Sequence, residues 1–598
     1  MAALAFTPHI QRPPIPPLST PTKAPKSRTK TRVSLQPSPT FSDPFVLQLA
    51  ETLEDSLPSS SSPPLPLQKL RDTSSETLLS TPWPSRKDEP FRFTDTSFIR
   101  HSQIHPIPRP PHSSALSGIS SNTQFPNLVV ADGYVVNSVN LSELPNGVFV
   151  GSMLELSEVS IMKRVSEFVS NSDCGDLFWS INGIGAPDLT IVYVPAGCKV
   201  ENPVCLRYIS VEGRYEGSNE LPVSNPRVLV LVERGGEIGI IEEFLGKDGQ
   251  NRYWVNSVLE VMVGEGGKVR HSYIQRQSLN AAHIKWTSVT QACALICACW
   301  QALKQNGPFS KHTSLMLWLR FRLKLQVSLA KKDSVELSAA RPGIFSCAKT
   351  WEAIRSKLPV DGGWFGIHLI YQDILLSACY LSEEVYMLLT EQNSLQLVGH
   401  SLLSVKREAA STYELVEVSS GGKLSRHNVH IQQLGPETVT ELSSLHLSVS
   451  DQTQDLHSRL VMDHPRGYSR QLHKCIVAHS QGQAVFDGNI KVNRYAQQTD
   501  AGQLTRSLLL EPRATVNIKP NLQIIADDVK CSHGAAISDL EESQLFYFLA
   551  RGINLETARK ALLFSFGAEV VERLPNPVRK EVESHIRELL DPTLKRSS

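Results

Sequence analysis

The sequence lacks most of the features that would announce a simple class. Its 598 residues contain no run of eighteen apolar residues, so no transmembrane helix is expected. An excess of one charge is missing too: 60 Lys and Arg against 59 Asp and Glu leave a net charge of +1. That balance argues against a chain whose main work is gripping nucleic acid or an acidic membrane surface. Ten cysteines at irregular spacings are too few for a disulfide framework and suit a reducing compartment. Catalytic signatures are scarce as well. No G-x-x-x-x-G-K-[ST] loop occurs, so "SSGGKLS" (419–425) is a strand turn and not a phosphate cradle. No G-x-S-x-G occurs either. The adjacent carboxylates Asp527 and Asp528 would point to opposite faces of a strand and could not act together on one glycosidic bond.

The first forty residues lack something different. No acidic residue precedes Asp43, while Arg12, Lys23, Lys26, Arg28, Lys30 and Arg32 stand among many Ser, Thr and Pro. No continuous apolar core of a secretory signal is present. A basic, hydroxyl-rich, acid-free leader of weak amphipathicity reads as a plastid transit peptide over residues 1–40. The alternative is a tail with no address.

What is present divides the rest of the chain. With 41% hydrophobic and 20% charged residues, it has enough apolar material for a sizeable core and two or more domains. Residues 41–125 read as a small helical domain and linker: "DPFVLQLAETLEDSL" places Phe45, Leu47, Leu49 and Leu53 among polar residues, and Pro82, Pro84 and Pro90 prevent a continuous helix farther along. From about residue 126 to 290 the pattern is strands. Short β-branched runs such as "LTIVYVPAGCKV" and "PRVLVLVERGGEIGIIEEF" are bounded by Gly, Pro and Asn without intervening helices. Gly-Gly turns recur before alternating strands at Gly235, Gly266 and Gly421, and "GQAVFDGNIKV" and "RATVNIKPNLQIIADDVKCSHG" continue the series over 408–537. Repeated strand–turn units point to a β-helix, with a sandwich as the fallback.

Residues 291–407 interrupt the series. The block holds five of the ten cysteines and four of the eight tryptophans. Gly266 and Gly421 lie 155 residues apart, and removing these 117 residues leaves 38, close to the 31 between Gly235 and Gly266. The block is therefore expected to be an insertion, most simply a retained intron or gene-model error. Residues 538–598 turn helical. Ser538 and Glu541 resemble a capping box, and Asn554 can cap a helix with Leu555, Leu562, Phe566 and Val570 on one face; a last amphipathic helix covers roughly 578–590.

Cys531 and His533 are the candidate site. Residues i and i+2 of a strand share a side, so thiol and imidazole would stand together, and sulfur with imidazole nitrogen suits iron in clusters. Two ligands do not make a site, and spacing alone leaves open a buried thiol beside a hydrogen-bonded histidine. Cys293, Cys297 and Cys299 lie in the interrupting block, with no histidine nearby to complete a tetrahedral set. His427, His430, His446, His457, His464, His473 and His479 read as surface or satisfied core residues.

Three stretches carry a family resemblance: "PSRKDEPFRFTD" (84–95), "HSQGQAVFDGNIKVNRYAQQTDAGQLTRSLLL" (479–510) and "KPNLQIIADDVKCSHGAAISDLEESQLFYFLARGI" (519–553). They are similar to the SufB/SufD family of iron–sulfur cluster assembly scaffolds, on its SufD side and in plastid form. The resemblance spans 41–290 and 408–590 and leaves 291–407 without a counterpart. It implies a right-handed parallel β-helix core flanked by N-terminal and C-terminal helical domains. It also implies a heterodimer with a SufB-like subunit through the β-helix, and a SufC-like ABC ATPase docked on the C-terminal helices. A nascent iron–sulfur cluster would form at the shared interface in the plastid stroma for transfer to apoproteins. The family's Cys-x-His positions match Cys531 and His533, with His533 the better ligand. This chain would bind no nucleotide and be non-catalytic. The competing readings are a β-helical carbohydrate-active enzyme, which needs a carboxylate pair on one face, and a stand-alone metal-storage module, which needs a full ligand set in one chain.

Overall fold

A computed structural model describes residues 43–57, 64–112, 124–169, 175–246, 251–291 and 410–590, all within one compact unit. The leader 1–40 and all but the first residue of the 291–407 block, including Cys293, Cys297 and Cys299, lie outside the described residues.

Helices α1 (Pro44–Asp55), α2 (Leu65–Leu78) and the short α3 (Ser97–Arg100) form the N-terminal part. Asp43 caps α1, accepting the amide of Phe45 at 3.1 Å, and the buried stripe is Val46, Leu49 and Leu53. A short strand, Gln103–Pro106, already lies within the segment read as helices and linker and pairs with Glu220–Ser224; further strands follow from Asn127, and two helices interrupt them before the solenoid is under way: α4 (Val159–Val169) and α5 (Leu177–Gly185). The strand-like composition hid α5, which is apolar all round because it is buried all round. It lies against α2 closely enough that a Cβ on Gly183 would come within 2.0 Å of Ser74 Oγ. Asn182 of α5 donates to the carbonyls of Pro226 (3.0 Å) and Asn256 (2.8 Å) and accepts from Arg227 (3.0 Å). Arg227 is itself buried against Glu260 at 2.5 Å.

Among the described residues the core is a largely parallel β-solenoid of two facing sheets, one of 11 and one of 10 strands, in which successive strands alternate between sheets from Arg227–Val232 onward. Glycines with positive φ turn the chain into its rungs at Gly235 (65°), Gly266 (67°) and Gly422 (80°), a conformation that side chains rarely tolerate. The strands flanking the undescribed block are immediate neighbours: Lys268–Arg276 pairs in register with Thr412–Ser419, and Ala282–Gln291 with Leu424–Gln433.

Between the sheets, apolar columns alternate with buried ionic groups. Glu242 accepts from Lys285 Nζ (3.0 Å) and Tyr208 Oη (2.8 Å) and hydrogen-bonds with His271 (2.9 Å). Glu417 bridges His427 and His446, each at 2.9 Å. Burial alone would raise both carboxyls; Lys285 and His271 in the first case, His427 and His446 in the second, hold them well below the ordinary range.

The C-terminal segment forms α6 (Glu542–Leu549), α7 (Leu555–Val571) and α8 (Val578–Leu589). Asn554 caps α7 as expected, accepting from Thr557 N at 2.8 Å. The capping box does not form: Ser538 still belongs to the last strand, and Glu541 occupies the N-cap of α6 without capping a backbone amide, its carboxylate accepting from Ser543 Oγ (2.7 Å) instead. The buried face of α7 is Ala558, Leu563, Gly567, Val570 and Val571, not the stripe through Leu555, Leu562 and Phe566. The helix turns its glycine to the sheet because a Cβ on Gly567 would already sit 3.0 Å from Leu445. Buried Lys474 anchors it, donating to Phe566 O (2.8 Å) and pairing with Glu569 (2.5 Å). Among the described residues, no helix is long and apolar enough to cross a membrane.

The motif 84–95 lies as a strap along the solenoid flank. Phe91 is buried beneath the Arg426 guanidinium (4.1 Å to the ring), Arg426 pairs with buried Asp455 (2.5 Å), and Thr94 donates to Asp455 (2.5 Å). Farther along, Glu89 meets Lys519 at 2.8 Å and Phe93 O accepts from Gln483 at 3.0 Å.

The buried charges lead to two expected outcomes. Glu242→Gln leaves Lys285 buried without its counter-charge and is expected to destabilise the fold by about 3–5 kcal/mol in urea unfolding. Acid should also unfold the chain in two windows. Buried His283 and His473 are held well below the usual imidazole value by burial, so their contribution is complete above about pH 6.5 and is lost progressively as pH falls beneath it. The depressed Glu242 and Glu417 contribute fully above about pH 4.3, and that contribution is lost as pH falls further toward their folded values. Unfolding midpoints measured from pH 8 to pH 3 check both.

Candidate functional site: the open end of the solenoid

The last rung is built from the strands Thr515–Ile524 and Val529–Ser538, which form the outer edges of the two sheets. Each pairs on one side only, with Gln483–Val492 and Thr499–Leu509 respectively. Interior-facing side chains that are buried on every earlier rung are uncovered here. Ile524 is 45% exposed, Ile537 51%, and neighbouring Ile525 53%. The end of the hydrophobic core is therefore open.

Cys531 and His533 lie on this rung. Cys531 stands in register with Ala501 and His533 with Gln503, whose side chains face the interior. The two-residue spacing thus brings thiol and imidazole to the same, interior-facing side. Cys531 is half-buried against the end of the core, and His533 is exposed. Burial pushes the Cys531 thiol up, with Asp500 adding to the effect and a backbone hydrogen bond from Ala501 opposing it. The sulfur is therefore protonated at neutral pH, and the exposed imidazole is the more available donor. Among the described residues, no group of three or more His, Cys, Asp or Glu is placed to hold a metal ion.

The other candidates fall elsewhere. His427 and His446 meet Glu417, His473 bonds with Ser444 (2.8 Å) and stacks on Phe486, and His457 pairs with Asp455 (2.9 Å). All four are structural residues, although Nδ1 of His446 is buried without a partner. Asp527 and Asp528 sit exposed in the bend before the last strand and line no cleft.

Sequence reasoning did not pick out the interior amides Gln471 and Gln503, which lead through the core to His533; only their place in the inward alternation marks them. It also missed the bare aromatic face of α6. That helix starts three residues after the last strand, buries none of its side chains, and shows Phe546 (71% exposed), Tyr547 and Leu549.

The described chain is thus a parallel β-solenoid that ends on an uncovered rung bearing a cysteine and a histidine. Comparison with known proteins gives this class a family. The model of the SufBD protein N-terminal region matches residues 46–206, and that of the SUF system FeS cluster assembly SufBD core domain matches 214–294 and 384–566. The chain belongs to the SufBD family of the SUF iron–sulfur cluster assembly system. It is 52% identical over 580 residues to "Protein ABCI7, chloroplastic" of Arabidopsis thaliana, covering 96% of this chain and 98% of that one. It is 26% identical over 519 residues to the SufBD family protein slr0076 of Synechocystis, covering 84% of this chain and 87% of that one. Over 156 residues, 26% of this chain and 36% of the other, it is 40% identical to the iron–sulfur cluster assembly protein SufD of Escherichia coli.

The raised Cys531 thiol makes one testable statement. Iodoacetamide at pH 7 should alkylate Cys531 in the isolated folded chain more slowly than a cysteine in an unstructured peptide, and the two rates should converge as pH rises above 9. Peptide mass spectrometry tracks the modification. Equal rates at pH 7 would contradict the assignment.

Proposed function

We propose that this chain is a SufD-type scaffold subunit of a SUF complex in the chloroplast stroma. Its terminal rung docks on a SufB-like subunit, and a nascent iron–sulfur cluster is held as cargo between them before transfer to plastid apoproteins. The observation that carries this reading is the uncovered last rung: an open apolar core end and two unpaired strand edges call for a neighbouring chain. Cys531 and His533 sit on that surface. Two donors from one chain leave the remaining ligands to the partner, with His533 the principal ligand on this side.

The C-terminal helices supply the second docking surface. The bare aromatic face of α6 fits a groove on a SufC-like ABC ATPase. This chain itself binds no nucleotide and catalyses no step; it carries the interface that the ATPase moves. Chloroplast residence is supported by the name of the Arabidopsis relative and by the acid-free leader.

The block 291–407 is read as an insertion outside this function, most simply a retained intron, but Gln291 completes a solenoid strand and the core-domain match takes in 291–294 and 384–407 at its edges. Deleting 292–407 leaves four residues, 408–411, between Gln291 and the strand from Thr412. The same number separates Val263 from Lys268 at an earlier turn.

The test is co-purification of the mature chain, from about residue 41, with SufB-like and SufC-like partners, scoring iron and sulfide. A stable complex is expected, and His533→Ala should leave the complex intact while removing most of its iron and sulfide. If no complex forms with the full chain or with the chain lacking 292–407, the scaffold reading fails. If only the shortened chain assembles, the insertion is what blocks docking.

A further inference from the structure

The interior column that ends in His533 changes character as it nears the open end. Leu415, Leu442, Gln471, Gln503 and His533 stack in register. The aliphatic residues give way to two amides and then to the imidazole.

Gln503 is buried, and its orientation is set from below. Its Nε2 donates to Gln471 Oε1 at 2.9 Å, and that same oxygen takes the hydroxyl of Ser458 at 3.1 Å. The nitrogen end of the Gln503 amide therefore points back down the column, and its Oε1 is buried without a partner. Gly488 makes room for this side chain, since a Cβ there would come within 2.2 Å of Gln503 Nε2. A leucine at 503 would continue the column without leaving a bare acceptor in the core.

We propose that Gln503 is the positioning residue of the site: once a partner covers the last rung, its Oε1, which has no partner in the isolated chain, accepts the ring N–H of His533, fixing one imidazole tautomer and turning the other nitrogen outward to the cluster. Paired residues on neighbouring strands of a sheet lie about 4.8 Å apart, within reach for such a bond. Metal-binding histidines need this kind of acceptor on their second nitrogen. The inference rests on the reading of His533 as a cluster ligand, and it accounts for why that position, and not Cys531 above Ala501, has a polar support beneath it.

Selective 15N-histidine NMR of the complex with the SufB-like partner tests it before any cluster is loaded, with His533→Asn identifying the His533 resonances. The expected wild-type result is one dominant tautomer. Gln503→Met, which keeps length and removes the acceptor, should give a tautomer mixture and weaken iron retention roughly 10–100-fold; Gln503→Glu should restore the single tautomer. Gly488→Ala, which keeps the amide but displaces it, should act like Gln503→Met and serves if that variant does not fold. An unchanged tautomer ratio in folded Gln503→Met overturns the positioning role alone, with the cluster site intact. A tautomer that depends on Gln503 while His533→Ala keeps its cluster overturns the ligand reading, and the coordinating purpose with it.

Discussion

In a parallel solenoid each strand takes its backbone hydrogen bonds from the rung on either side, and each interior side chain is covered by the next. That dependence lets the stack hide an acidic and basic interior such as the Glu242 and Glu417 clusters, since every charged group has a rung above and below to seal it from water. It also means that a stack without a cap ends on one rung missing half of its partners. Here the last rung carries the strand edges, the bare isoleucines and the Cys-x-His pair together.

The two helical ends manage different problems. α5 and its neighbours close the first part of the sheet with a wholly buried helix and the Arg227–Glu260 pair. At the other end, α7 and α8 lie on the outer face of the second sheet and leave the open rung clear. Arg276 bridges Glu243 of the sheet to Glu581 of α8 at 2.8 Å, and His585 bonds with Ser420 at 3.0 Å. α6 buries none of its side chains fully, with Leu545 and Phe548 half-buried. A rigid brace beside a bare helix, joined by three residues to the last strand, concentrates both exposed surfaces in one short stretch of chain.

Much of the architecture was legible in the sequence because its physical cause is local. Gly-Gly turns favour positive φ, and Gly235 and Gly266 mark the same corner of successive rungs; the pair singled out at Gly421 lies at the opposite corner, where Gly422 takes the positive φ. The i, i+2 spacing put Cys531 and His533 on one side, and Asn554 capped its helix as its position implied. What stayed hidden has nonlocal causes. Glu417, His427 and His446 look like solvent-facing residues in any short window, because each finds its counter-charge on another strand. α5 looked like strand because total burial removes the polar face that gives a helix its period. Gln503 carried no signal until the register placed it below His533.

The strap has a consequence for the order in which this molecule can be completed. Glu89 and Thr94 are made early, yet their partners Lys519 and Asp455 lie 430 and 361 residues farther on. A chain emerging N-terminus first, from a ribosome or a membrane pore, must hold Phe91 without its Arg426 cover until the late rungs have stacked. Closing so long a loop is slow compared with local rung formation. Docking of the strap is thus a report that the far end of the solenoid exists, and a chain cut short before that point keeps an unburied aromatic motif for chaperones and proteases to find.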